Sequence, residues 1–74
     1  MGAKRTTTIP KAPVARILMF AGAKRVSAGA VDSFVEVLED FGEQIARQAA
    51  EIAKHSGRKT IQEGDIKLAA KTRG

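Results

Sequence analysis

The chain contains no cysteine. Neither a disulfide nor a thiolate metal site is therefore available to it. It has one histidine, too few for most zinc sites. No apolar run approaches the length of a membrane span, and no apolar stretch of a secretory leader is visible. A soluble, intracellular protein is expected. No nucleophile stands beside a base, no carboxylate pair shares a cleft, and no loop has the form of a cofactor cradle. Enzymatic activity is not expected, nor a cofactor, a metal or a small-molecule substrate. The run SGRKT superficially resembles a phosphate loop, but its glycine spacing is wrong for one that binds nucleotides.

The chain is also short of length and of negative charge. Its 74 residues set one domain as the ceiling. A core of that size is marginal alone, and small chains usually need staples or a partner. The net charge is +5 and the sequence pI about 10.1. Such a balance suggests an anionic partner, of which nucleic acid is the commonest.

The layout of charge says more than its total. Residues 27–56 hold six acids and two bases, a charge of −4, while the remainder holds eleven bases and two acids, a charge of +9. An acidic helix face explains the middle. It does not explain bases gathered on both sides of it. That segregation suits a protein that presents its loops to a polyanion.

Residues 1–9, MGAKRTTTI, show no helical periodicity and are expected to form a flexible basic tail. Residues 10–72 form the folded domain, followed by 73–74. Pro10 and Pro13 open a helix, Pro13 in its first turn, where the missing N–H costs nothing. Val14, Ile17, Leu18 and Ala21 then keep the spacing of one apolar helix face. Gly22 ends this helix, since glycine tolerates positive φ. After a short connection, Ser27 is the expected N-cap of the next helix. Position 30 is alanine, so no capping box forms, and Gly29 costs the first turn about 1 kcal/mol.

The second helix carries the strongest pattern. Val31, Phe34, Val35, Leu38, Phe41, Gly42, Ile45, Ala46, Ala49, Ile52 and Ala53 hold a 3.6-residue period. The helix should end near His55, stopped by Gly57. At 1.5 Å per residue it is about 43 Å long. A last short helix carries Ile66, Leu68, Ala69 and Ala70, with Gly64 weakening its start. The fold class is thus all-α, as short helix, loop, long helix, loop, short helix. Two short helices cannot cover so long an apolar stripe, and soluble monomers do not leave one exposed. A second chain crossing antiparallel must cover the rest, which predicts a dimer that depends on protomer concentration.

The blocks PKAPVARI, AGAKRVS, IAKHSGRKTI and DIKLA resemble the histone fold, and most closely the minimal archaeal histones. The resemblance runs from about Pro10 to about Lys71, with four blocks in order at the expected separations. It implies a handshake of two long helices, further association of dimers, and wrapping of double-stranded DNA in a chromosome-associated, cytoplasmic setting of archaeal type. It also implies that Lys24, Arg25, Val26 and Ser27 of one chain pair with the Lys59–Thr60 loop of the other to face phosphates. The first helices' N-termini, with Lys11 nearby, would supply a third site. Arg16 occupies the position of the family's minor-groove arginine, with Thr60 to orient it, as histone octamers insert arginines wherever the groove faces inward. Such contacts position the protein without reading sequence, so any preference should follow DNA bendability.

Further roles follow from the same resemblance. Arg58 and Asp65 would form an intrachain salt bridge, against the plainer reading of an ordinary surface pair. Ile52, His55 and Asp65 would lie where dimers meet, although a lone histidine at a helix end is most often a cap or surface group. Gly22 would let successive superhelical turns stack, with Glu36 and Asp40 opposite Lys67 and Lys71; plain solvated surface is the alternative for these four charges. The tail, with Lys4 and Arg5, resembles a short eukaryotic histone tail and would touch DNA, be modified, or only solubilise. Met19 and Phe20 depart from the minimal family, which usually has polar residues there. The rival function is a histone-fold heterodimerisation module of a transcription-factor complex. The partner of this chain would be a second copy or a paralogous histone.

Overall fold

The structure, a computed structural model, describes residues 9–73, so the tail residues Lys4 and Arg5 lie outside the described residues. Three helices follow one another: α1 (Lys11–Phe20), α2 (Ala28–His55) and α3 (Glu63–Arg73). No strand occurs among the described residues. The all-α, short–long–short plan is the histone fold.

Local chemistry sets each boundary. Pro10 is the N-cap of α1, with extended backbone (φ −63°, ψ 145°). The helix thus starts two residues before Pro13, whose absent N–H still falls in the first turn. At the other end, Gly22 N–H donates to the Met19 carbonyl (3.0 Å) and Ala23 N–H to that of Leu18 (3.2 Å). This paired closure needs a left-handed residue, and Gly22 supplies φ +116°. α2 ends the same way. Gly57 N–H donates to the Lys54 carbonyl and Arg58 N–H to that of Ala53, both at 2.9 Å, with Gly57 at φ +76°. A Cβ on either glycine would meet nothing within 4 Å. Backbone conformation, not space within the chain, requires glycine at both. Gly57→Ala is expected to cost about 1–2 kcal/mol, the penalty for a side chain in left-handed backbone. Chemical denaturation of the pair would measure it; an unchanged midpoint would mean that the turn relaxes to another geometry.

The contacts fall into two units, residues 1–40 and 41–74. In the first, α1 and the N-terminal part of α2 bury Val14 and Val35. Ile9 N–H donates to Glu39 Oε2 at 3.1 Å, fixing the chain just before α1 against α2. Lys11 Nζ pairs with Asp32 Oδ1 at 2.7 Å. In the second unit, the C-terminal part of α2 and α3 bury Ala49, Ala53 and Ala69. Gln48 Nε2 donates to Thr72 Oγ1, which donates in turn to the Ala69 carbonyl.

The buried set is thus two valines and three alanines, and alanines contribute little burial each. Of the eleven residues in the α2 stripe, only Val35, Ala49 and Ala53 are buried. The rest, including Phe41 at 45% exposure, are open or half open within a single chain. Ile17, read as core from its spacing, is also exposed. The apolar faces are real, but one chain does not cover them.

Candidate nucleic-acid interface

The connection between α1 and α2, residues 21–27, is anchored at both ends. The Gly22 closure holds its start. Ser27 holds its end, its Oγ accepting the Ala30 N–H at 3.0 Å, the N-cap bond that satisfies an otherwise free donor of α2. Lys24 and Arg25 stand exposed between these anchors, and Val26 is half-buried.

The connection between α2 and α3, residues 56–62, is braced differently. Arg58 grips Asp65 with two parallel bonds, Nη1 to Oδ2 at 2.8 Å and Nη2 to Oδ1 at 2.9 Å. Nη1 also donates to the Thr60 carbonyl. Asp65 Oδ2 accepts the Gln62 N–H at 2.8 Å. Gln62 precedes α3, so Asp65 reaches back to the cap residue as the acid of a capping box does, without the usual serine or threonine opposite it. Asp65 is the one buried charged residue among those described. The Arg58 hydrogen bonds, then the Gln62 N–H, hold its carboxyl down to about 2, against opposing burial, with the Arg58 charge adding. The same bond raises the Arg58 pKa further above its ordinary value. Lys59 and Thr60 are left exposed at the tip.

A pH dependence follows. Because its folded pKa lies below the ordinary aspartate value near 4, Asp65 adds stability that is fully present above that value. It is lost as pH falls from about 4 through about 2. Asp65→Asn should lower Tm at pH 7 by on the order of 5 °C or more. The gap from the parent chain should close as pH falls across that window. A gap that stayed constant down to pH 2 would show that the charge does not carry the brace.

The cations sort into two groups. Lys11, Arg47, Arg58 and Lys67 have carboxylate partners: Asp32, Glu43, Asp65 and Glu63. Arg16, Lys24, Arg25, Lys54, Lys59 and Lys71 are exposed and have no ion pair with any described residue. Four of these six are on α1 or the two connections. The first thirty-one residues contain no acid at all. The helix ends differ in the same sense. α2 is capped by Ser27, and α3 carries Glu63 and Asp65 in its first turn. α1 has neither a side-chain cap nor an acid in its first turn, so its free N–H groups suit an anion. These features together form a set of phosphate-seeking groups whose negative charges have been placed elsewhere.

The remaining predicted residues lie as follows. His55 is exposed, its Nε2 3.7 Å from Glu51 Oε1 one turn earlier, and Ile52 is half-buried. Glu36 and Asp40 lie one turn apart on α2, and Lys67 and Lys71 one turn apart on α3. Sequence reasoning missed Asp32, Glu39 and Gln62 as partners. The first two act across long separations that periodicity does not reveal. Gln62 had a signal, an aspartate three residues on. Among the described residues, no three acidic or histidine side chains converge as metal ligands would, and no helix is long and apolar enough to cross a membrane.

Comparison with known proteins adds a finding. The family model described as histone-like transcription factor (CBF/NF-Y) and archaeal histone matches residues 7–70. One of the subunits of the archaeal histone HAN1 of Thermococcus zilligii is 41% identical over 85% of this chain and 94% of its own length. A probable archaeal histone 3 of Methanocaldococcus jannaschii is 48% identical over 82% of this chain and 91% of its own. The major histone H4 of Tetrahymena pyriformis is 33% identical over 89% of this chain and 64% of its own.

Proposed function

The chain belongs to the family of histone-like transcription factors and archaeal histones, and from that premise we propose that it is an architectural DNA-binding protein of the chromosome. Two chains cross antiparallel along α2, and dimers associate further to wrap and compact double-stranded DNA with little sequence preference. The observation that carries this reading is the sorting of cations. Those on the connections and on α1 are mostly left without acids, whereas others are paired off. A module used only to bind another protein has no need of that arrangement.

In the dimer, Lys24, Arg25, Val26 and Ser27 of one chain lie beside Lys59 and Thr60 of the other and present N–H groups and cations to phosphates. Arg16 enters the minor groove. Lys11, held by Asp32, lends charge near the α1 N-terminus. Asp65 is committed to Arg58 and Gln62, so at a dimer–dimer contact it acts mainly by holding the loop that His55 and Ile52 flank. Gly22, with Glu36, Asp40, Lys67 and Lys71, forms the stacking surface between turns. One relative is named as part of a histone with more than one kind of chain, which favours keeping a paralogous partner beside the homodimer.

The family also covers transcription factors, so heterodimerisation alone is the second reading. Nuclease digestion of protein mixed with long duplex DNA separates the two. Wrapping yields discrete protected fragments that lengthen as the protein:DNA ratio rises. DNA digested as if bare at every ratio would overturn the architectural reading and leave the other.

A further inference from the structure

Phe20 is the most exposed large apolar residue described, at 83%, and nothing in the proposed function uses it. It ends α1 and lies one turn after Arg16. At 3.6 residues per turn the two side chains leave the helix about 40° apart. Both project away from Val14, the buried residue of that helix. Met19 leaves α1 about a quarter turn from Phe20, so the pole of the helix is shared by a cation and an aromatic ring.

The setting selects the occupant. The acid-free stretch through Val31 contains Lys11, Arg16, Lys24 and Arg25. Two copies of this patch meeting face to face would oppose like charges. A DNA minor groove offers phosphate walls to the cations, and sugar and base edges that accept an apolar side chain. Proteins that bend DNA through the minor groove use phenylalanine beside basic residues in this way, pressing on a base step to open it.

We propose that Phe20 is a DNA-contacting wedge that works with Arg16 and enters the minor groove one helical turn along α1 from it. The proposal rests on the DNA-binding reading above. A wedge adds affinity and bend without neutralising phosphate, and this gives it a signature of its own.

The test uses the full chain, its Phe20→Ala and Phe20→Leu variants, and a duplex of about 60 base pairs carrying end-labels for energy transfer and internal 2-aminopurine. Phe20 is exposed, so unchanged thermal unfolding of both variants serves as the folding control. Phe20→Ala is expected to weaken binding by about tenfold, the scale of losing one apolar contact per chain. It should also reduce the bend and abolish the rise in 2-aminopurine fluorescence that marks unstacking. Phe20→Leu should retain most of all three, and the salt dependence of binding should be the same for all chains. Unchanged affinity, bend and fluorescence in Phe20→Ala would overturn the wedge. So would a variant that binds and bends short duplexes normally but no longer multimerises on long DNA, since that result assigns Phe20 to a contact with the acidic face of another copy. Failure of the parent chain to bind DNA would instead remove the DNA-binding reading itself.

Discussion

Phe41→Asp should abolish the cooperative folding of this protein at micromolar concentration. On a single chain the change looks mild. Phe41 is close to half exposed, and surface substitutions usually cost within about 0.5 kcal/mol. In a dimer closed along α2, the same residue lies in the seam, and each dimer would hold two buried, unpaired carboxylates. The penalty for each is several kcal/mol, against a total stability of about 5–15 kcal/mol. The parent chain should show a Tm that rises with protein concentration, as mass action requires. The variant should show no folded baseline from about 1 to 100 µM, a range chosen to span that mass-action shift. Circular dichroism melts with sedimentation velocity would check both. A variant that melted cooperatively within a few degrees of the parent would mean that one chain is a sufficient folding unit.

The second large effect is expected from salt. If a bound dimer neutralises about 8 phosphates, log K falls with log salt at a slope near −7. Affinity should then drop by about ten-thousandfold between 50 and 200 mM salt. Fluorescence anisotropy with duplex DNA would read the slope directly. Lys59→Gln removes one cation from each chain and should make the slope shallower by about 1.8 per dimer. Lys67→Gln should leave it unchanged, because Lys67 is held by Glu63. Equal changes for the two would show that ion pairing within the chain does not decide which lysines reach DNA. A slope near zero would exclude polyanion binding altogether.

The helices were legible because their signals are local. Ser27 is a cap by type and position, and Gly22 and Gly57 mark the two helix ends by their tolerance of positive φ. The stripe on α2 was legible as a period, and its excess over what two short helices can cover pointed to a second chain. What was not legible depends on long separations or on context. The Lys11–Asp32 pair and the bond from Ile9 to Glu39 join residues that no spacing rule connects. Ile17 fits an apolar face as well as Val14 does, but periodicity does not say whether its own chain covers it. At the candidate interface, the sequence offered every cation as a phosphate ligand with equal right. Only the structure shows that Arg58 is consumed by Asp65 while Lys59, its neighbour, is left open.

Both seven-residue connections are pinned at each end, by a glycine closure on one side and by Ser27 or Asp65 on the other. Their conformational freedom is therefore lost when the chain folds, not when it meets DNA. Ordering a flexible segment on binding would cost about 1–2 kcal/mol for each residue's backbone, and little of that cost remains here. The binding entropy should consequently be governed by released counterions and water, with little opposing loss from the protein. Amide exchange in the two connections should already be slow in free protein and change little on the duplex.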